Sequence, residues 1–196
     1  MNIKNTLKLV FLAVVGFAIL VYLTAPNKPK PRNSSNDIKL NYESIPNTVQ
    51  LVGLDKYISK SDYLKKNKPG YIIVLNHDAL AVFDKLDKYT NKNLIFVANI
   101  SSTPWLIKRL AVDKELEKLY VDSKYKLIND SNGNFVKSLK LNDTRQNSYT
   151  IYKVLSDGKI VKFISGTVKK NALQEGISQE QKEAILLDVV GKLNKF

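Results

Sequence analysis

One histidine stands among the 196 residues, His77, and Asp78 follows it. An imidazole beside a carboxylate can carry a proton or make a pH-sensitive contact. The commoner fate of such a residue is a plain turn histidine. A nucleophile for a Ser–His–Asp arrangement would have to be Ser101 or Ser102, and no Gly-x-Ser-x-Gly elbow holds either one. Cysteine is absent altogether, which removes disulfides, thiolate metal sites and cysteine nucleophiles. A lone histidine excludes HExxH-type zinc sites and argues against a buried transition metal. Neither GxGxxG nor GxxxxGK[ST] occurs, so no phosphate-cradling loop is expected. Asn129-Asp130-Ser131-Asn132-Gly133 is too short for an EF-hand calcium loop. No metal or cofactor is expected.

Three aromatic residues could serve binding. Trp105, next to Pro104, could anchor a partner peptide or pack at a helix start. Tyr149 and Tyr152 could pack across a hairpin or line a peptide-binding edge beside Asn147. The formal charge is +13, with 31 Lys+Arg against 18 Asp+Glu. Only Arg32, Arg109 and Arg145 are arginines, and the lysines are spread over nearly every segment. Nucleic-acid sites lean on Arg for bidentate and stacked contacts, so a nucleic-acid groove is disfavoured.

These residues need elements to position them. Val49–Gly53 and Tyr57-Ile58 flank a Leu-Asp-Lys turn, a β-hairpin pattern. A short helix follows over Ser59–Lys66. Tyr71–Leu75 is apolar on both faces, as a buried central strand is, and Asn76-His77-Asp78 breaks it. Ala79–Tyr89 has helical spacing. Leu94–Ile100 reads as a second buried strand. Thr103 and Pro104 open a helix that runs to about Tyr120. Lys126–Ile128 is a short strand, and Phe135–Leu141 continues as strand or coil. Ser148–Leu155 and Lys159–Ser165 form a hairpin about Ser156-Asp157-Gly158. Gln179–Lys195 is a terminal helix with Ile185, Leu186, Val189, Val190 and Leu193 inward. This order predicts an α/β fold with a mixed sheet and flanking helices.

Upstream of the domain, Leu9–Ala25 is almost continuously apolar, and Lys4 and Lys8 precede it. A signal peptide opens the same way. Leu23-Thr24-Ala25 followed by Pro26 is a poor cleavage site, so an uncleaved transmembrane anchor is the expectation. Residues 1–8 would be a cytoplasmic tail, 9–25 the transmembrane helix, 26–41 a Pro/Lys/Asn-rich tether and 42–196 the folded domain. The basic flanks nearly balance across the span. The short tail ahead of a large domain favours a single-pass inner-membrane protein with its domain in the periplasm. The tether lysines could touch anionic lipid, or the segment could be a solvated spacer.

The ordered set of Leu54–Leu64, the Asn129–Gly133 turn, and Ser156-Asp157-Gly158-Lys159-Ile160-Val161 with Gly166 after it resembles the thioredoxin-like superfamily. It looks most like the membrane-anchored, extracytoplasmic thiol–disulfide oxidoreductase and peroxiredoxin branch, and it is similar to small YtfJ-type proteins. The resemblance spans roughly residues 46 to 195. It implies a redox Cys-x-x-Cys where the central strand meets the next helix, and this chain has Asn76-His77-Asp78-Ala79 there. It also implies a cis-proline before the hairpin strand, where this chain has Arg145-Gln146-Asn147-Ser148-Tyr149. A second frame would align Ser102-Thr103-Pro104-Trp105 with the redox motif, but it leaves too few strands downstream. Thiol exchange needs a thiolate, so that activity does not carry over. The expectation is an envelope protein-binding or assembly factor. It would dock a protein or peptide partner near Asn76, His77, Asp78, Trp105, Asn147 and Tyr149. The alternatives are a non-thiol enzyme using His77, or a basic domain binding anionic lipid or nucleic acid.

Overall fold

The computed structural model describes residues 3–24, 40–54, 56–103 and 113–195. A seven-stranded mixed sheet organises the domain, in the order β2-β1-β5-β4-β3-β6-β7. The strands are β1 (Thr48–Leu51), β2 (Tyr57–Ser59), β3 (Gly70–Asn76), β4 (Leu94–Asn99), β5 (Leu127–Asn129), β6 (Ser148–Val154) and β7 (Ile160–Thr167). β3, β4 and β5 run parallel, and β6 and β7 are antiparallel additions beyond β3. The β1–β2 hairpin closes the other side, antiparallel to β5.

The helices are α1 (Ile3–Thr24), α2 (Lys60–Tyr63), α3 (Leu80–Phe83), α4 (Asp113–Tyr120), α5 (Asn134–Ser138), α6 (Ala172–Glu175) and α7 (Gln179–Asn194). β3 and β4 are buried at every position because helices cover both faces. Alternation splits their side chains. Tyr71, Ile73, Leu75, Phe96 and Ala98 enter a core with α3, α4 and α7. Ile72, Val74, Ile95 and Val97 enter a second core with Ile45, Leu64, Phe135 and Leu139. We refer to these as the first and second faces.

The two hairpins, the paired central strands and the terminal helix fall where the sequence places them. Leu186, Val189, Val190 and Leu193 are buried and Ile185 is partly buried, while the Ser178 hydroxyl caps α7 at Gln181 N. Two expectations are corrected. Residues 79–89 do not form one helix. A 3-10 turn (His77–Ala79), the single turn of α3 and a second 3-10 turn (Leu86–Lys88) bury Leu80, Phe83 and Leu86 instead. Residues 134–138 are helix rather than strand or coil. The Asp130 carboxylate accepts the Phe135 and Val136 N–H groups, both at 2.9 Å, and caps α5. Burial raises the pKa of that carboxyl, and the two backbone N–H groups work the other way.

Leu40 is the first described residue of the domain. Leu40 O accepts the Ile160 N–H at 2.8 Å, and Tyr42 N–H donates to Gly158 O at 2.8 Å. Buried Lys60 donates to Tyr42 O at 3.1 Å, and its ammonium lies 4.9 Å from the Tyr42 ring centroid. The chain thus enters beside the β6–β7 turn. Register pairs Gly70 with Val154 near that turn and Leu75 with Tyr149 at the other end. The carboxyl end of β3 therefore points away from the point where the chain enters.

Helix α1 carries exposed apolar side chains around its circumference, including Val10, Phe11, Leu12, Val14, Phe17, Ile19, Leu20 and Leu23. Among the described residues, no helix is long and apolar enough to cross a membrane. The transmembrane expectation for residues 9–25 draws no support from that criterion.

Candidate site at the carboxyl end of β3

Parallel register places Asn76, the last residue of β3, beside Asn99, the last residue of β4. Both side chains point to the second face and both are buried, 5% and 8% exposed. Asn99 Nδ2 donates to Asn76 Oδ1 at 2.7 Å, and Ser101 Oγ donates to Asn99 Oδ1 at 2.8 Å. Asn76 Nδ2 faces three acceptors: Arg145 O at 2.7 Å, Ser148 Oγ at 2.8 Å and Asp143 O at 3.2 Å. Ser148 Oγ in turn donates to Arg145 O at 3.0 Å. The Asn76 Nδ2 therefore binds the 143–148 loop to the sheet, while its Oδ1 ties β3 to β4.

That loop is stiffened from within. Arg145 Nε and Nη2 donate to the Asp143 carboxylate at 2.9 and 2.6 Å. The hydrogen bonds from Arg145 hold the Asp143 carboxyl below its usual range. Gln146 O accepts the Asp78 N–H at 2.9 Å, which fixes the loop to the 3-10 turn as well. The two segments that sequence reasoning set opposite each other, 76–78 and 145–148, are thus in direct contact.

Asp78 is 2% exposed. Its Oδ2 accepts the Asn171 N–H at 2.9 Å, and its Oδ1 lies 3.3 Å from His77 Nδ1. Asn171 adopts φ +58°, and its Nδ2 donates to Glu175 Oε1 at 2.9 Å. Asp78 thereby ties the end of β3 to the segment after β7. The His77 side chain is 16% exposed. With Nδ1 turned to Asp78, its Nε2 is the one polar atom of the Asn76–Asp78 side chains with no hydrogen-bond partner among the described residues.

The remaining expected residues are placed differently. Asn147 Nδ2 donates to Val168 O and Val168 N donates to Asn147 O, both at 2.8 Å, which fastens the far end of the hairpin. Tyr149 projects to the first face, opposite Asn76. Its ring lies 4.9 Å from that of Phe83, it is 6% exposed, and burial raises its hydroxyl pKa. Tyr149 is a core residue. Trp105 lies outside the described residues. Ser102 is exposed, and no hydrogen bond joins it or Ser101 to His77 among the described residues. Among the described residues no group of three His, Asp or Glu could hold a metal ion.

Sequence reasoning missed Asn99, Asp143 and Asn171. A signal for Asn99 was present: the two apolar strands, YIIVLN and LIFVAN, both end in asparagine. Asp143 and Asn171 offered none, because only the tertiary fold brings them to β3.

Comparison with known proteins adds no assignment: the chain matches no protein-family model and no curated protein. The fold and site define a mixed α/β domain with a polar, cysteine-free cluster at the ends of β3 and β4.

Proposed function

We propose that this is a membrane-anchored, extracytoplasmic thioredoxin-fold protein without thiol redox activity, acting as a protein-binding or assembly factor in the envelope. Several features support the reading. The order β5-β4-β3-β6-β7, with three parallel strands, two antiparallel ones and a closing helix, agrees with the resemblance drawn from the sequence. The 145–148 segment lies against residues 76–78, where the redox motif and its opposing segment would meet. The chain has no sulfur with which to exchange a disulfide, apart from one methionine thioether. The apolar run 9–25 and the exposed apolar side chains of α1 support the anchor. A single-pass arrangement in the inner membrane, with the domain in the periplasm, completes the proposal.

One observation carries the choice of binding over catalysis. The asparagine, serine and aspartate groups at the end of β3 are consumed in fastening three distant chain segments together, and only His77 Nε2 is left to meet a ligand. A rigid platform with a single outward donor or acceptor suits recognition. Acyl or phosphoryl transfer needs a nucleophile within reach of the base. Affinity capture from envelope membranes tests the proposal. The wild-type chain should retain a specific partner that His77→Ala loses while it still unfolds cooperatively from a folded state. Equal capture by both chains would overturn the assignment of the docking site.

The His77–Asp78 contact favours one other reading, a non-thiol enzyme in which Asp78 orients His77 as a proton carrier. Substrate-class activity profiling separates the two: an activity abolished by His77→Ala would favour the enzyme.

A further inference from the structure

A second surface, which adjoins the Asn76 cluster through Asp143, has the chemistry of a docking groove. It lies on the second face, between β7 and the loop after α5, and encloses about 540 Å³. Leu40, Leu141, Asn142 and Asp143 line it, the Asp143 carboxylate being paired with Arg145, and buried Leu139 and Tyr152 form its floor. Tyr152 Oη donates to Leu139 O at 3.4 Å and burial pushes its pKa up to about 12, so the floor is neutral and fixed.

Two exposed ammonium groups rim this floor. Register pairs Lys162 of β7 with Tyr152, which puts its side chain over the groove. Lys140 approaches from the opposite side. Neither has a carboxylate partner among the described residues, as is also true of Lys65, Lys68 and Lys88. Lys140 also sits at φ +53°, just past the end of α5, where glycine or asparagine is the low-strain choice. A lysine in the left-handed region at a helix end sacrifices stability and gains a charge at that place.

The outer edge of β7 adds a third element. β7 ends the sheet, and its start already accepts a backbone partner: Ile160 N–H donates to Leu40 O, and Asn41 bridges Lys159 in antiparallel sense. Val161 to Thr167 has no strand partner on its outer side among the described residues. Edge lysines ordinarily block strand addition by repulsion. A second copy of this chain, at +13, would meet that repulsion. An acidic segment would not.

We infer that this groove docks an extended acidic–apolar peptide segment of a partner protein. Its carboxylates meet Lys140 and Lys162, its apolar side chains rest on Leu40 and Leu141, and its backbone runs along the β7 edge. The mode is strand addition with charge selection.

The test uses the full chain in neutral detergent and two fluorescein-labelled octapeptides, one alternating Glu and Leu and one alternating Lys and Leu. Fluorescence anisotropy should show saturable binding of the Glu–Leu peptide only. Lys140→Asn with Lys162→Thr should weaken it at least tenfold, and Lys88→Asn should leave it unchanged. Lys140→Asn alone should weaken binding while raising Tm by roughly 2–4 °C, the signature of a strained residue kept for contact. His77→Ala should bind the peptide as wild type does, which separates this surface from the β3 site. Equal binding of both peptides, or undiminished binding by the double variant, would overturn the inference. So would displacement of the peptide by anionic lipid micelles, which would make the groove a headgroup site.

Discussion

Asn76 shows how a residue at a functional position can be fully employed by the fold. Its amide is both donor to the 143–148 loop and acceptor for Asn99, in a site with almost no water access. Truncating one member of a buried network leaves its partners unsatisfied, at about 1–3 kcal/mol for each group. Asn76→Ala should therefore lower unfolding free energy by about 2–3 kcal/mol in urea titration. Asn76→Asp should be no milder, because a carboxylate would face the Asp143 and Arg145 carbonyls and replace both donors. His77→Ala removes one hydrogen bond, to Asp78, and should cost about 1 kcal/mol, less than Asn76→Ala. That contrast separates the residue that holds the site from the residue that presents it.

At the scale of elements, the first face depends on one buried ion pair. Lys182 of α7 reaches Asp84 at the end of α3, with side chains 13% and 5% exposed. Breaking a buried pair from one side costs about 3–5 kcal/mol, whereas apolar replacement of both partners is often neutral or stabilising. Thermal unfolding should show a severe loss for Lys182→Ala and recovery for Asp84→Leu with Lys182→Met. Asp84 was not legible in the sequence, since nothing marks an aspartate whose lysine lies some hundred residues away. The strands were legible. Runs such as YIIVL and LIFVA are apolar on both faces, and only a covered central sheet accommodates them. Turns with Asp-Gly or Pro-Gly punctuation were legible for the same local reason. Residues 79–89 and 134–138 were misread because their conformation is set by tertiary contact. The Asp130 carboxylate stabilises α5 through N–H groups, and the short α3 is held by the burial of Leu80 and Phe83. The site was legible as an address, the end of β3, and its partners were not. Tyr149 was assigned to the site through the resemblance, as part of the 145–149 segment and a possible peptide-binding edge, and the two-residue period of β6 turns it to the other face.

The whole molecule presents the site in a particular direction. Its chain enters the domain beside Gly158, and β3 runs from that end toward Asn76. The anchor proposed for residues 9–25 would hold the domain beside the membrane, in the same compartment as its partner. The absence of cysteine gives a clean background for testing this arrangement. Single cysteines at Lys4 and at exposed Leu187 should divide across the membrane. A membrane-impermeant maleimide added to intact cells with a permeabilised outer membrane should label Leu187→Cys and spare Lys4→Cys. Labelling of Lys4→Cys alone would place the domain in the cytoplasm. The charge divides too: the first 41 residues hold +5 of the +13, with no arginine-rich surface in the rest.

The central claim is that the end of β3 binds a partner rather than performing chemistry. Site-specific photocrosslinking from position 77 in native membranes tests it most directly. A photoreactive residue replacing His77 should give one discrete adduct with a partner protein, and the same residue replacing exposed Lys88 should not give that adduct. An identical pattern from both positions, or no adduct from position 77 in membranes where the chain is folded and abundant, would contradict the account.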